Sequence, residues 1–297
     1  MATCAGQVLL PLERLIYVLR SKSGVISTDG GPEGAFSQDG SRGRLQTFNA
    51  AQVFAAAVKA KVLGVLGGSG LYDPSFLRGA REKTVKTPFG KPSDALRIGD
   101  VGDLRVVFIP RHGRKHSMPA NLVNHGANLW AMKQEKVSHV IATSSSGSLK
   151  KAIKPGCLVV PDDFMCFWSI PTVTDDVHHV TPQLDPEIRS LLTKAASKAR
   201  AEVRKTGTYV QTLGPRLETK AEIAFFKDYG DILGMTLASE ATIACELDMA
   251  YASLCSVDNY CNGIMPEPLT YKQIVRQQKV NSGRVIAALK AALEMLS

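Results

Sequence analysis

The 297-residue chain predicts a single α/β domain on three observations: buried-strand text alternates with amphipathic helix text from Lys61 onward, polar clusters follow three of those strands, and the 44% hydrophobic content fills one large core more simply than two modest ones. The first strand is carried by "KVLGVLGGSGLYD", Lys61 to Asp73, where the apolar run VLGVL passes into a glycine turn whose backbone N–H groups can approach an anion. It is not a dinucleotide fingerprint, because Asp73 stands where the third glycine of G-x-G-x-x-G is needed. Nor is there a Walker loop, since Gly90-Lys91 is followed by Pro92. A plain tight turn closing the strand stays open as the alternative.

Leu104 to Pro110, "LRVVFIP", Val137 to Thr143, "VSHVIAT", and Gly156 to Pro161, "GCLVVP", read as further buried strands. Asp185-Pro186 opens a helix with aspartate as cap and proline in the first turn, and Ile188, Leu191, Leu192, Ala195 and Ala199 share its apolar face. Ala221 to Tyr229, Glu240 to Met249 and Ser282 to Leu296 are helical by the same test, and "YASLCSV" is a strand before the last of them. Residues 1–60 differ: a short amphipathic piece, "LLPLERLIYVLR", precedes Gly-, Ser- and charge-rich text without periodicity, which predicts a flexible extension ahead of a domain over 61–297. Glu13 and later acidic residues weaken its reading as an organelle leader.

Thirty-six Lys and Arg against 27 Asp and Glu give a formal charge of +9, which suits an anionic ligand. The basic residues are scattered and aromatics make up only 6%, so a nucleic-acid partner is disfavoured. Six cysteines without zinc spacing or a C-x-x-C pair read as reduced thiols, and no apolar run reaches the ~18 residues of a membrane span. A cytoplasmic protein is expected.

Gly67 to Gly70, Arg111-His112-Gly113-Arg114 and Ser144-Ser145-Ser146-Gly147-Ser148 each follow a predicted strand, where open parallel sheets place ligands. Hydroxyls, backbone amides and a guanidinium fork are what a phosphate requires. Taken singly, a serine run is a turn and Arg111 a solvated charge. Their repeated placement favours a phosphate site.

Six blocks, "GVLGGSGLYD", "TPFGKPSDAL", "PRHGRKHSMPANLVNHGANLWAMK", "SSSGSLKKAIKPGCLVVPDDF", "GPRLETKAE" and "MTLASEATIACELDMAYASLC", occur in an order that resembles the methylthioadenosine phosphorylase branch of the trimeric purine nucleoside phosphorylases. The resemblance runs from residue 61 to the C-terminus. It implies a twisted mixed central sheet flanked by helices, a homotrimer, a purine nucleoside and inorganic phosphate as co-substrates, and no metal or other cofactor. By resemblance Ser69, Arg111, His112, Ser144, Ser145 and Thr236 bind phosphate, with Asp258 and His112 as the catalytic pair. Met235 falls where the family packs the sugar, although it also reads as a core methionine.

Cleaving the ribosidic bond builds positive charge on the sugar and negative charge on the leaving purine, so phosphate beneath the sugar and a donor at N7 are the chemical needs. Asp258 in "SVDNYC" aligns with the aspartate that faces N7; a turn cap is its plain alternative. Leu217-Glu218 and Tyr260 depart from the adenine-type pattern, which has an aromatic residue and serine at the first pair and a second aspartate at the last. Glu218 can accept the N1–H of a 6-oxopurine but opposes the lone pair of adenine N1. His179 matches a histidine near the 5′ substituent, with His178 the competing assignment. The expected activity is that of an S-methyl-5′-thioadenosine phosphorylase, with a 6-oxopurine enzyme acting on methylthioinosine, inosine or guanosine as the alternative.

Overall fold

The computed structural model describes residues 62–175 and 179–297. In chain order the elements are β1 (Val62–Gly67), β2 (Arg78–Lys83), β3 (Leu96–Val101), β4 (Leu104–Pro110), α1 (His125–Gln134), β5 (His139–Ser148), β6 (Leu158–Val159), β7 (Asp163–Cys166), α2 (Pro186–Lys198), β8 (Val203–Arg204), β9 (Thr208–Gln211), α3 (Lys220–Phe226), β10 (Ile232–Gly234), α4 (Leu237–Glu246), β11 (Ala250–Tyr260) and α5 (Tyr271–Glu294). Among the described residues the strands form one 11-stranded mixed sheet in the order β2-β3-β4-β1-β5-β10-β9-β7, with β11 beside β5 and continuing through β6 to β8. The strands β4, β1, β5 and β11 are parallel where they pair, whereas β2, β3 and β4 form an antiparallel edge.

Period-two alternation explains the apolar text of the central strands. Leu63, Val65, Val106, Phe108 and Ile141 point to one face and pack with α2 and α5, while Leu66, Val107, Ile109, Val140 and Ala142 point to the other and pack with α1 and α4. Both faces are covered, so neither needs polar residues. The fold is the mixed α/β domain that the sequence predicts.

The elements differ from expectation where polar text hides order. The serine run expected to follow a strand lies inside one: β5 continues to Ser148 because β11 pairs with it as far as Tyr260. α5 begins at Tyr271 rather than Ser282, since Thr270 and Gln273 form a capping box and Ile274 is the buried residue of an otherwise polar start. Likewise α4 begins at Leu237 and ends at Glu246, and "GCLVVP" contributes only Leu158 and Val159 to a strand. The strand β2, "RGAREK", is wholly exposed and charged, a device that blocks edge pairing and hides a strand from periodicity tests.

Cys157, Cys166, Cys255 and Cys261 are free thiols, as expected, and Cys4 lies outside the described residues. No helix among the described residues is long and apolar enough to cross a membrane. The extension assigned to residues 1–60 lies outside the described residues.

The cap of α2 is as predicted: the Asp185 carboxylate accepts from the backbone N–H of Glu187 at 3.1 Å and of Ile188 at 2.8 Å. Asp185→Ala is expected to lower unfolding free energy by about 1 kcal/mol, read from the urea midpoint at constant slope.

Candidate active site

A cavity of about 330 Å³ lies where β1, β4, β5, β10 and β11 end. It gathers all six phosphate candidates, Ser69, Arg111, His112, Ser144, Ser145 and Thr236, together with Leu217, Glu218 and Met235. Residues from remote parts of the chain meet because parallel neighbours deliver their carboxyl ends to one side of the sheet.

Arg111 follows the last residue of β4 and is 1% exposed. Its Nε donates to Glu240 Oε1, Nη2 donates to Glu240 Oε2 at 2.8 Å, and Nη1 donates to the Thr143 carbonyl at 2.8 Å. One N–H on each terminal nitrogen is left for the cavity. Burial opposes both charges, but each partner overrides it: Glu240 raises the Arg111 pKa, and Arg111 holds the Glu240 carboxylate below its ordinary range. The pair is neutral as a unit, so what it offers an anion is oriented donors rather than net charge.

Gly68 makes room for this arrangement. A Cβ there would stand 2.2 Å from the Thr143 carbonyl oxygen and 2.8 Å from Arg111 Nη1. Its own N–H donates to Thr143 Oγ1 at 2.9 Å. The double glycine of the first motif therefore serves close approach between β1, β5 and the arginine.

Thr236 caps α4 without using its side chain, and its Oγ1 is buried with no hydrogen-bond partner. The Tyr209 hydroxyl lies beside it and accepts from the Thr236 backbone N–H at 3.4 Å, at the N-terminus of a helix that borders the cavity. Ser69 and Ser144 complete the same end.

His112 Nδ1 lies 2.9 Å from the Met118 carbonyl oxygen. A carbonyl only accepts, so Nδ1 carries the proton and Nε2 is left as an acceptor. Burial, and then the nearby Arg111 charge, lower its pKa to about 4. The ring is neutral at physiological pH.

Beyond Met235 the cavity is walled by Glu218, Asn259, Cys261 and Asn262. Thr212 Oγ1 donates to Glu218 Oε1 at 2.6 Å, and Asn262 Nδ2 donates to the Glu218 carbonyl at 2.8 Å, so the carboxylate is oriented with one oxygen unclaimed among these contacts. Leu217 lines the same region at 40% exposure. Met118, Leu269 and Ile274 add apolar surface to the lining.

Three expected nucleoside contacts are placed elsewhere. Asp258 is not on the cavity: its carboxylate turns to Ser145, Ser256 and Asn281 behind the wall. Tyr260 also points away, its hydroxyl donating to the Lys151 carbonyl at 3.2 Å. One cause accounts for both, because a bulge in β11 pairs Val257 with Ser146 and Asn259 with Gly147, leaving Asp258 unpaired and turning Asn259 to the cavity. His179 is exposed and off the cavity, and His178 lies outside the described residues. His116, Ser146, Asn259, Asn262, Tyr271 and Gln278 are polar wall residues missed from sequence; for the two asparagines the N-Y-C-N text after β11's apolar run was the available signal.

The chain belongs to the Phosphorylase superfamily, whose family model matches residues 62–294, and within it to the group of purine nucleoside and methylthioadenosine phosphorylases. It is 37% identical over 235 residues to a probable 6-oxopurine nucleoside phosphorylase of Archaeoglobus fulgidus, covering 78% of this chain and 96% of that protein. It is 40% identical over 235 residues to an S-methyl-5′-thioadenosine phosphorylase of Hyperthermus butylicus, covering 76% and 85%. The structure superposes on methylthioadenosine phosphorylase from Schistosoma mansoni in complex with adenine with a TM-score of 0.70 at 31% identity, covering 78% of this chain and 90% of that one.

The depressed pKa of His112 links to stability. Above pH 6.5 the ring is neutral folded and unfolded; as pH falls, the unfolded chain takes a proton that the folded one refuses until about 4, so stability declines across that window by up to about 3 kcal/mol. Urea unfolding at pH 7 and pH 4.5 should show a smaller decline for His112→Gln than for the wild type.

Proposed function

We propose that the protein cleaves purine nucleosides by phosphorolysis, giving free base and a sugar 1-phosphate, and that it reads a 6-oxopurine base. The observation that carries the first part is the convergence of the Arg111 fork with the hydroxyl residues Ser69, Ser144 and Thr236 on one cavity, a donor set suited to a tetrahedral anion. The second part rests on Glu218 and Asn259 on the cavity wall with no aspartate beside them. This moves the emphasis from a methylthioadenosine enzyme to the alternative weighed with it. Relatives bearing both names stand at similar identity, so methylthioadenosine is the second reading, favoured by the 40% match.

In this mechanism hydrogen phosphate accepts from Thr236 Oγ1, from the two free N–H groups of Arg111 and from the N-terminus of α4, while His112 Nε2 accepts the phosphate's own proton. A phosphate oxygen attacks the anomeric carbon as the bond to N9 breaks, and that electron pair enters the purine. Asn259 donates to the N7/O6 edge, where negative charge collects, and Glu218 accepts N1–H. The developing positive charge on the sugar is met by the phosphate itself. Met118, Leu269 and Ile274 suit an apolar 5′ substituent such as methylthio. The reading includes inorganic phosphate as co-substrate, no metal, a homotrimer and a cytoplasmic location.

Thr236→Val tests the cradle with little change of volume, since valine replaces the hydroxyl by a methyl group on the same β-branched frame. KM for phosphate should rise about tenfold, the worth of one hydrogen bond to an ion, with the melting temperature unchanged or higher. Unaltered phosphate KM, or equal turnover without phosphate to give free sugar, contradicts the proposal.

Base choice is read from kcat/KM for methylthioinosine over methylthioadenosine. The ratio should exceed one in the wild type and fall at least ~10-fold in Glu218→Ser, because a hydrogen bond to a charged group is worth about 1.5–3 kcal/mol. A ratio that does not move assigns Glu218 to holding Thr212 and its loop instead.

A further inference from the structure

We infer that the anion site selects a tetrahedral anion that carries a proton, and that Asp258 is the positioning residue that makes Ser145 an acceptor for it. The inference rests on the phosphorolysis reading and specifies the form of its co-substrate.

Asp258 is 2% exposed and sits behind the cavity wall. Three donors converge on its carboxylate: the Ser145 hydroxyl and the Ser256 hydroxyl, at 3.2 Å, on Oδ2, and Asn281 Nδ2, at 2.6 Å, on Oδ1. The Asn281 amide cannot be turned over, because its Nδ2 also donates to the Val257 carbonyl at 2.9 Å while its Oδ1 accepts from Gln277 Nε2 at 3.2 Å. Asn281 thus fixes Oδ1 as an acceptor, and as a carboxylate Asp258 accepts from both serine hydroxyls at Oδ2. Burial raises its pKa, and the same three donors pull the other way.

A serine hydroxyl has one proton. At Ser145 that proton points to Asp258, away from the cavity, and one lone pair accepts from Gln278 Nε2 at 2.9 Å. What remains for the cavity is the other lone pair. Ser145 therefore brings no side-chain donor to an anion; it asks for one. His112 repeats this logic from the far side, since Met118 takes its Nδ1 proton and leaves Nε2 unprotonated. These two acceptors share the cavity end with Arg111 and with the hydroxyls of Ser69, Ser144 and Thr236.

Near neutral pH inorganic phosphate carries at least one proton and sulfate none. Dihydrogen phosphate, abundant near neutral pH, can donate to both of these acceptors and hydrogen phosphate to one, whereas sulfate sets oxygen lone pairs against both, so removing either acceptor removes part of the preference. An unmade hydrogen bond against a buried acceptor costs roughly tenfold in binding.

The test is calorimetric titration of the full chain with sodium phosphate and with sodium sulfate at neutral pH and constant ionic strength, for wild type, Ser145→Ala, Asp258→Ala and the double variant. The wild type should prefer phosphate at least ~10-fold. Ser145→Ala should narrow that ratio several-fold, and Asp258→Ala should narrow it also, by freeing the Ser145 hydroxyl to donate. In the Ser145→Ala background, Asp258→Ala should change the ratio no further, a coupling that general destabilisation does not produce. Equal wild-type affinity for both anions overturns the inference and leaves phosphorolysis standing. Binding of neither anion overturns both. If Asp258→Ala does not fold, Ser145→Ala alone decides: an unchanged ratio overturns the assignment.

Discussion

The buried ion pair between Arg111 and Glu240 is the contact on which the site depends. It joins the end of β4 to α4, and the hydroxyl of Tyr251 on β11, donating to Glu240 Oε2 at 2.8 Å, ties in a third element. Desolvating two charges is expensive, and a pair of this kind contributes little net stability, but breaking it by removing one partner costs about 3–5 kcal/mol. What the pair supplies is geometry. A guanidinium gripped along one edge can turn neither its plane nor its remaining N–H groups, and α4 is held with its N-terminus beside them.

The strand β5 carries this geometry to the rest of the cavity. Its first half pairs with β1, its whole length with β11 and its last residues with β10, so the serine run stays extended between neighbours that end in functional residues. Small side chains are required there. A Cβ on Gly147 would meet Cys261 Sγ at 2.6 Å and Asn259 Nδ2 at 3.0 Å. The bulge at Asp258 then exchanges faces: Asn259 goes to the cavity, while Asp258 is buried against α5. A single extra residue in one strand thus separates the group that faces the cavity from the group that orients its neighbours.

The central strands, the capped helix α2 and the meeting of the strand-end polar residues on one cavity were legible in the sequence because each rests on local chemistry: continuous apolar runs, an Asp-Pro start, and glycine, arginine and serine at strand ends. The base end was not. Whether Asp258 or Asn259 faces the cavity turns on a bulge, and a bulge is set by pairing with Ser146 and Gly147 more than a hundred residues away. The first turns of α5 escaped notice for a related reason. Tyr271 and Gln278 are polar because they border the cavity and the sheet's polar strand ends, so a test for an apolar face passes over them. The exposed edge strand β2 has no buried face to betray it.

The most direct measurement of this account is the affinity of Glu240→Gln for inorganic phosphate, taken by calorimetry beside the wild type, with circular dichroism and a melting temperature to show that the variant is folded. Glu240 is not on the cavity and can touch no phosphate, yet it fixes the fork of Arg111. The account predicts that phosphate affinity falls at least ~10-fold in the folded variant, because the guanidinium loses its grip and its direction. Wild-type affinity in a folded Glu240→Gln protein would contradict it, and would mean that the anion is held by groups other than the anchored arginine.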